Sequence, residues 1–83
     1  MAEAVYKNNE ELKEYIRQRD NNTCQLCGRV EEKDGRALCV HHINYDKEDL
    51  FELNLITLCR GCNGRVNSRR DFWKDYFTFR MIS

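Results

Sequence analysis

Two Cys-x-x-Cys pairs constrain the fold of this 83-residue chain more strongly than any other feature of its sequence. Cys24 and Cys27 form the first pair, Cys59 and Cys62 the second, and the 31 residues 28–58 separate them. Each pair can present two thiolates to a tetrahedral ion, and zinc in a closed structural site takes four such ligands. We therefore predict a structural Zn²⁺ bound by the four cysteines, with a folded segment between the two pairs.

A structural metal suits the small size of the chain. Chains of this length bury only roughly 60% of their unfolded surface, and domains below about 80 residues usually need disulfides or a metal. Only 41% of the residues are hydrophobic and 34% are charged, so the apolar core is small. Four unrelated reduced cysteines, or a redox-active dithiol, remain the alternatives. The fifth cysteine, Cys39 between Leu38 and Val40, is interpreted as a small buried apolar side chain.

The sequence contains neither a membrane span nor a secretory signal. A transmembrane helix needs about 20 apolar residues, whereas the longest strictly apolar run here is Ala37-Leu38-Cys39-Val40. The N-terminal segment carries acidic side chains and lacks the apolar region of a signal peptide. We expect a cytoplasmic protein with no membrane partner, and the reducing cytoplasm favours metal ligation over disulfides.

The pattern of apolar residues predicts an α+β fold in a single domain over residues 1–83. A helix is expected over about 8–19, with Asn8 or Asn9 at its N-cap. Its apolar stripe consists of Leu12, Tyr15 and Ile16. Two strands are expected between the cysteine pairs, at about 37–43 and 54–58.

The segment after the second cysteine pair is predicted to be helical. Ser68, with Asp71 three residues later, resembles a capping box. Aromatic residues then recur at spacing i,i+4, which gives the last helix an apolar face. These pairs are Phe72 with Tyr76 and Trp73 with Phe77. We interpret Trp73, Tyr76 and Phe77 as core residues rather than as platforms for stacking bases.

Both histidines of the chain, His41 and His42, lie together at the end of the first predicted strand. A histidine pair alone is weak evidence, because a structural or incidental role is the commoner explanation. Here the pair lies between two cysteine pairs in a chain with no other histidine. This context favours a functional site.

These motifs, in this order, resemble those of HNH endonucleases, and in particular the zinc-knuckle branch found among phage-type and homing-type nucleases. The similarity covers roughly residues 17–77 and includes a tail, 66–73, similar to the Thr-Asn-x-x-Arg-x-x-Trp pattern seen there. The motifs are Cys24-x-x-Cys27, Val40-His41-His42-Ile43 and Asn54-Leu55-Ile56-Thr57-Leu58-Cys59-x-x-Cys62-Asn63.

The resemblance implies a ββα-metal core, that is, a two-stranded antiparallel sheet plus a helix. A four-cysteine zinc site would stabilise this core, and N- and C-terminal helices would flank it. His41 would be a ligand of a catalytic divalent ion, and His42 would be the general base that takes a proton from the attacking water. Asn54 would hydrogen-bond across the loop and orient the base.

Asn63 occupies the place of the family's last histidine, so this chain has an H-N-N pattern. An asparagine can ligate a metal only through a neutral amide oxygen, which favours Mg²⁺ or Mn²⁺ over zinc or nickel in the catalytic site. Asn67 lies four residues later, hence on the same face of a helix. It is a candidate second ligand or phosphate contact, with a structural role as the alternative.

Adjacent residues on a regular strand point to opposite faces of the sheet. His41 and His42 could therefore share one site, one facing the metal and one the attacking water, only if the strand end were distorted. We expect such a distortion.

The zero net charge of the chain conceals an uneven distribution. Residues 60–83 contain 6 basic and 2 acidic side chains, a difference of +4, whereas the remainder is acidic. Arginine suits bidentate contact with phosphate, although a solvated helix face is the alternative for any single residue. The predicted contacts with DNA phosphates are Arg60, Arg65, Arg69 and Arg70.

The sequence therefore predicts a metal-dependent HNH endonuclease that hydrolyses phosphodiester bonds of double-stranded DNA. One active site per chain makes a nick the simplest outcome, whereas a double-strand break would need a homodimer or two binding events. The alternative is a non-catalytic zinc-finger adaptor that binds DNA or protein, which leaves His41, His42 and Asn54 unexplained. An RNase is a third hypothesis.

Overall fold

The computed structural model describes residues 8–32 and 34–82. Residues 1–7, on which part of the signal-peptide argument depends, lie outside the described residues. No helix among the described residues is both long and apolar enough to cross a membrane. The elements, in chain order, are α1 (Asn9–Arg19), β1 (Cys39–His42), a 3₁₀ helix (Glu52–Asn54), β2 (Leu55–Leu58), α2 (Arg60–Arg65) and α3 (Arg70–Ile82). The predicted α+β fold is confirmed, although β1 is shorter than expected.

Helix α1 begins where the sequence predicts because Asn8 caps it. The Asn8 side-chain oxygen accepts a hydrogen bond from the backbone N–H of Glu11 at 2.9 Å, which satisfies one of the free donors of the first turn. Leu12 and Ile16 are buried, whereas Tyr15 is 42% exposed. The apolar stripe is therefore narrower than predicted.

Strands β1 and β2 form a two-stranded antiparallel sheet with helices on both faces. Its register places His41 opposite Ile56 and His42 opposite Leu55. Leu55 packs with the buried residues of α1, whereas Ile56 belongs to the core that includes residues of α2 and α3. Because neighbours alternate between faces, His42 lies on the α1 side and His41 on the other.

The end of α1 covers the outer edge of β2. The Asp20 carboxylate accepts the backbone N–H of Thr57 at 2.9 Å, and the Arg19 guanidinium donates to the carbonyl of Leu55 at 2.7 Å. Arg19 and Asp20 also pair with each other at 2.9 Å, and the Gln25 N–H donates to the Thr57 carbonyl at 2.9 Å. Neither outer edge has a strand partner among the described residues, but these contacts cover the outer edge of β2.

The four cysteines of the two pairs converge on one point. Their Sγ atoms all lie within 4.8 Å of one another, and those of Cys27 and Cys59 are 3.7 Å apart. Tetrahedral zinc with Zn–S bonds of about 2.3 Å separates its sulfurs by about 3.8 Å. The cluster could therefore hold a zinc ion.

Backbone hydrogen bonds prepare this cluster for a cation. The N–H groups of Cys27 and Cys62 donate to the Sγ atoms of Cys24 and Cys59, each at 3.4 Å. Burial raises the pKa of Cys24, but backbone N–H donors, Cys27 first, outweigh it and lower that pKa to about 6. Burial and the neighbouring thiols raise the pKa of Cys62. Four sulfurs packed this closely cannot all ionise without a metal to balance their charge.

The main core lies between the sheet and α3. Phe77 is fully buried at its centre and stacks on Trp73 with the ring centroids 5.8 Å apart. Arg80 joins α3 to the first cysteine pair by donating a hydrogen bond to the Gln25 carbonyl. The i,i+4 aromatic pairs are present as predicted, but Tyr76 is exposed, so its assignment to the core is wrong.

The predicted capping box at Ser68 is also wrong. The Ser68 hydroxyl donates back to the Arg65 carbonyl at 3.2 Å, and the N–H of Trp73 bonds to the carbonyl of Arg69. Arg69 therefore occupies the N-cap position of α3, with its backbone at φ 54°. Ser68 therefore lies in the turn between α2 and α3 and not at the N-cap that the sequence pattern predicted.

Removal of the metal from the cysteine cluster is expected to unfold the chain, because zinc binding supplies on the order of 10 kcal/mol to domains of this kind. We expect one zinc per chain by elemental analysis and loss of the far-UV helical signal with a strong chelator. Cys62→Ser should lose the metal, whereas the control Cys39→Ser should retain it. An unchanged far-UV spectrum after verified metal removal would contradict this prediction.

Phe77→Ala is expected to lower the free energy of unfolding by about 3–5 kcal/mol, because it opens a cavity in the main core. Phe79→Ala removes the same ring from the same helix at a site that is 74% exposed, and we expect a change within about 0.5 kcal/mol. Urea denaturation of the zinc-loaded proteins measures both. Similar losses in the two variants would show that Phe77 does not anchor the core.

Candidate active site

An open cleft of about 410 Å³ lies along β1. Three consecutive residues of the strand line it, Val40, His41 and His42. Since consecutive strand residues point to opposite faces, a cleft lined by all three must wrap around the open edge of the strand. The other lining residues are Lys13, Tyr45, Lys47, Asn63, Asn67 and Arg70.

His41 forms the inner wall of this cleft and is only 6% exposed. Its ring packs edge-on against Tyr45, with the centroids 5.0 Å apart, and lies 5.9 Å from the ring of Phe77. Burial, followed by electrostatic interaction with His42 and Arg70, lowers the pKa of His41 to about 4, so the imidazole is neutral at neutral pH. Its Nε2 atom is buried without a hydrogen-bond partner among the described residues.

A buried nitrogen without a hydrogen-bond partner destabilises the folded state. The Nε2 atom of His41 is therefore suited to bind a metal ion or another group that the chain itself does not supply. A neutral imidazole and the amide oxygens of Asn63 and Asn67 are a donor set that suits a divalent ion. Asn63 lies on α2, and Asn67 follows the end of that helix at Arg65. The two asparagines do not share one helix face as predicted, but both line the cleft.

His42 lies on the opposite face of β1, towards α1, and is partly exposed. Burial lowers its pKa, and the charges of Lys13 and Lys47 lower it further, against the opposing effect of Asp46 and Asp49. His42 is therefore a neutral imidazole with a lone pair available at neutral pH.

The strand that carries both histidines is regular. The register continues through His42, which pairs with Leu55. The expected distortion of the strand end is therefore wrong. Both histidines line the cleft because it lies at the edge of the strand, where side chains from both faces of the sheet reach it.

Asn54 is buried and joins the two ends of the loop that follows His42. Its Oδ1 accepts the N–H of Asn44, and its Nδ2 donates to the side-chain oxygen of Asn44 and to the carbonyl of Asp49, each at 3.0 Å. Its carbonyl accepts the N–H of Ile43 at 2.7 Å. Asn54 is not among the described residues that line the cleft, but its hydrogen bonds join it to the backbone that directly follows His42.

The four arginines that the sequence predicts to contact DNA phosphates lie in different parts of the structure. Arg70 lines the cleft with its guanidinium 4.7 Å above the ring of Tyr45. Arg69 lies over the ring of Phe72, at 5.3 Å, and Arg65 is exposed at the end of α2. Arg60 is not among the described residues that line the cleft along β1.

Arg60 instead belongs to an acidic cluster on the cysteine side of α2. Its guanidinium pairs with Asp34 at 2.9 Å and with the buried carboxylate of Glu32 at 3.5 Å. Glu32 also accepts the backbone N–H of Arg60 at 2.6 Å. These bonds hold the start of α2 beside the cysteine cluster, which is a structural use for Arg60.

Tyr45 is a cleft residue that the sequence reasoning missed. Its backbone adopts φ 64°, a left-handed conformation that is strained for a bulky residue and typical of functional sites. Its hydroxyl donates to the Val66 carbonyl at 2.6 Å, which joins the loop to the end of α2. The loop motif contains no glycine to mark this turn, so no sequence signal identified it.

Lys13 and Lys47 were missed as well. Lys13 is a single lysine on a charged helix, and Lys47 lies in an acidic loop, so neither stands out in the sequence. Only the packing of α1 and of the loop against β1 brings them to the cleft.

The family model described as HNH endonuclease matches residues 24–69. No curated protein gives a significant match to the chain. No solved structure does so either. The matched segment is 46 of the 83 residues, counted from 24 to 69, and it contains both cysteine pairs, both histidines, Asn54 and Asn63. HNH endonucleases are metal-dependent nucleases that act on DNA. The chain belongs to the HNH endonuclease family.

Proposed function

We propose that this protein is a metal-dependent endonuclease that hydrolyses phosphodiester bonds of double-stranded DNA. The observation that carries this proposal is the shared cleft, in which the two histidines of β1 lie with Asn63 and Asn67 around an open strand edge. The buried Nε2 of His41, which has no hydrogen-bond partner among the described residues, favours a metal-dependent site over a non-catalytic adaptor. Basic residues at the same cleft suit a polyanionic substrate.

His42 is the general base of this proposal. It is partly exposed to the cleft, so a water molecule can reach it, and its lowered pKa keeps it unprotonated at neutral pH. It would accept the proton of the water that attacks the phosphorus. As the water oxygen bonds to phosphorus, the bond between phosphorus and the leaving sugar oxygen would break, and that oxygen would take up a proton from solvent. The proton on His42 would return to solvent through the open side of the cleft.

His41, Asn63 and, as a third ligand, Asn67 would hold Mg²⁺ or Mn²⁺. When bound, such an ion neutralises the negative charge that develops on the phosphate during attack. The edge-on packing of Tyr45 fixes the ring of His41, so that its orientation does not depend on the ion. The amide oxygens of the asparagines favour these hard cations over zinc.

Asn54 is a positioning residue in this scheme. Its hydrogen bonds to Asn44 and Asp49 restrain the loop that leaves His42. The same loop bonds back to the strand through the N–H of Tyr45, which donates to the His42 carbonyl at 2.9 Å. A restrained carbonyl limits the freedom of the His42 backbone and so orients its imidazole.

The Cys24, Cys27, Cys59 and Cys62 cluster would hold a structural zinc, separate from the catalytic ion. Arg70 would contact a DNA phosphate in the cleft, and Arg65 and Arg69 would contact phosphates outside it. One proposed active site per chain makes a single-strand nick the expected product. A double-strand break would need a homodimer or two binding events.

His42→Ala is expected to reduce DNA nicking by about 10²–10⁴-fold, because a general base contributes that much to such reactions. Relaxed plasmid is measured after incubation with Mn²⁺ or Mg²⁺, at equal zinc content. Lys74→Gln, an exposed substitution on α3, serves as the control and should retain activity. Either of two results would refute the assignment: wild-type protein that does not nick with any divalent ion, or equal nicking by His42→Ala.

Asn63→His is expected to shift the metal preference of nicking away from Mg²⁺ and towards Ni²⁺, Co²⁺ or Zn²⁺, because it replaces an amide oxygen by an imidazole nitrogen. The measurement is the nicking rate across a series of these ions for the variant and the wild type. A variant with reduced rate and the same order of metals would show that Asn63 is not a ligand.

A further inference from the structure

Two lysines flank His42 at the open edge of β1. Lys13, from α1, and Lys47, from the loop after β1, both line the main cleft. A second, smaller cavity of about 180 Å³ lies between α1 and β1, and Lys13, His42 and Lys47 line it too. The two cavities share these residues, so the groove continues past His42 with lysines on its walls.

The position of Lys13 follows from the packing of α1. Leu12 and Ile16 are buried against Leu55 on one face of the sheet, and Lys13 follows Leu12 directly. The residue after a buried helical position lies about 100° around the axis, here towards the rim of the cleft. Lys13 lies outside residues 24–69, so its presence at the cleft is a feature of this chain rather than of the matched family segment.

The acidic groups near these lysines are largely occupied elsewhere. The Asp49 carboxylate accepts the Asn44 side chain at 2.8 Å and the N–H of Phe51 at 3.2 Å, and Asp46 accepts the N–H of Glu48 at 3.0 Å. These acids are therefore engaged in the turns of the loop.

The ion pair of Lys13 with Glu10 is weak. It spans 3.9 Å between a lysine that is 39% exposed and a glutamate that is 75% exposed. Exposed pairs of this kind contribute little and yield readily to a competing anion. The charges of Lys13 and Lys47 act on His42 more strongly than those of Asp46 and Asp49, so the cations dominate at this end of the cleft.

The other end of the histidine pair carries Arg70. Its guanidinium lies over Tyr45, and the Tyr45 ring contacts His41. Cations therefore stand at both ends of the pair, Arg70 beside His41 and the two lysines beside His42. This arrangement suits a ligand with a row of negative charges rather than a single anion.

We propose that Lys13 and Lys47 each bind one DNA phosphate on the His42 side of the scissile phosphate, while Arg70 binds the phosphate on the His41 side. The cleaved strand then runs across the open edge of β1, with the scissile phosphate between the histidines. This inference rests on the proposed function, since it assigns the path of the substrate in the same cleft.

The experiment measures DNA binding apart from cleavage. All proteins carry His42→Ala, are zinc-loaded and receive no added Mg²⁺ or Mn²⁺. The affinity for a labelled double-stranded oligonucleotide is followed by fluorescence anisotropy between about 50 and 200 mM salt. The plot of log affinity against log salt has a negative slope. The magnitude of this slope decreases by about 0.9 for each phosphate that the protein no longer neutralises. We expect a fall of about 0.9 for Lys13→Gln and of about 1.8 when Lys47→Gln is added.

Lys74→Gln is the matched control, because it removes the same charge from an exposed position on α3 that is not among the described cleft residues. Its slope should not change. An unchanged slope in the double variant, an equal change in Lys74→Gln, or no salt-dependent binding by the parent protein would each overturn the lysine site. If the slopes change as expected but the protein with His42 intact nicks no DNA, the lysine site stands and the proposed nuclease activity fails.

Discussion

The antiparallel pairing of β1 with β2 determines where each proposed catalytic side chain lies. The register places His41 opposite Ile56, within the core shared with α3, and His42 opposite Leu55, against α1. A slip of one residue would exchange the two histidines between faces and bury the proposed base. The surroundings of the sheet therefore have to hold the register firmly.

Two sets of contacts hold it. Arg19 and Asp20 bond to the backbone of β2 at Leu55 and Thr57, which fixes the strand along its outer edge. The cysteine cluster fixes the end of the same strand, since Cys59 follows Leu58 directly. The Cys59 sulfur also accepts the N–H of Cys62 and so caps α2, the helix that carries Asn63. A metal in the cluster would thus determine the position of a proposed ligand in the other site.

Much of this arrangement could be predicted from local patterns. The cysteine spacing predicted one cluster, and the order of the elements followed from caps, alternation and i,i+4 aromatics. The motif also predicted that His41, His42 and Asn63 belong to one site, and all three line one cleft. These features depend on residues close in sequence or on a motif with a well-defined spacing.

The features that could not be predicted have a common physical cause, which is contact between distant segments. Arg60 is held by Glu32 and Asp34, and no spacing rule pairs an arginine with acids 26 to 28 residues earlier. Lys13 reaches the cleft only because α1 packs on the sheet. The predicted distortion of β1 assumed a site on one face of the sheet, whereas the cleft lies at its edge.

The open edge of β1 has a further consequence for the behaviour of the protein in solution. An unpaired strand edge is a template on which another chain can add a strand, and natural proteins guard such edges with charge, lysine above all. A substrate groove cannot be covered by a helix, so charge is the remaining protection. Two copies that met edge to edge would bring Lys13 and Lys47 of one towards those of the other, and their repulsion would weaken as salt screens it. The cations that would draw a nucleic acid to this edge are thus suited to keep the protein from self-association.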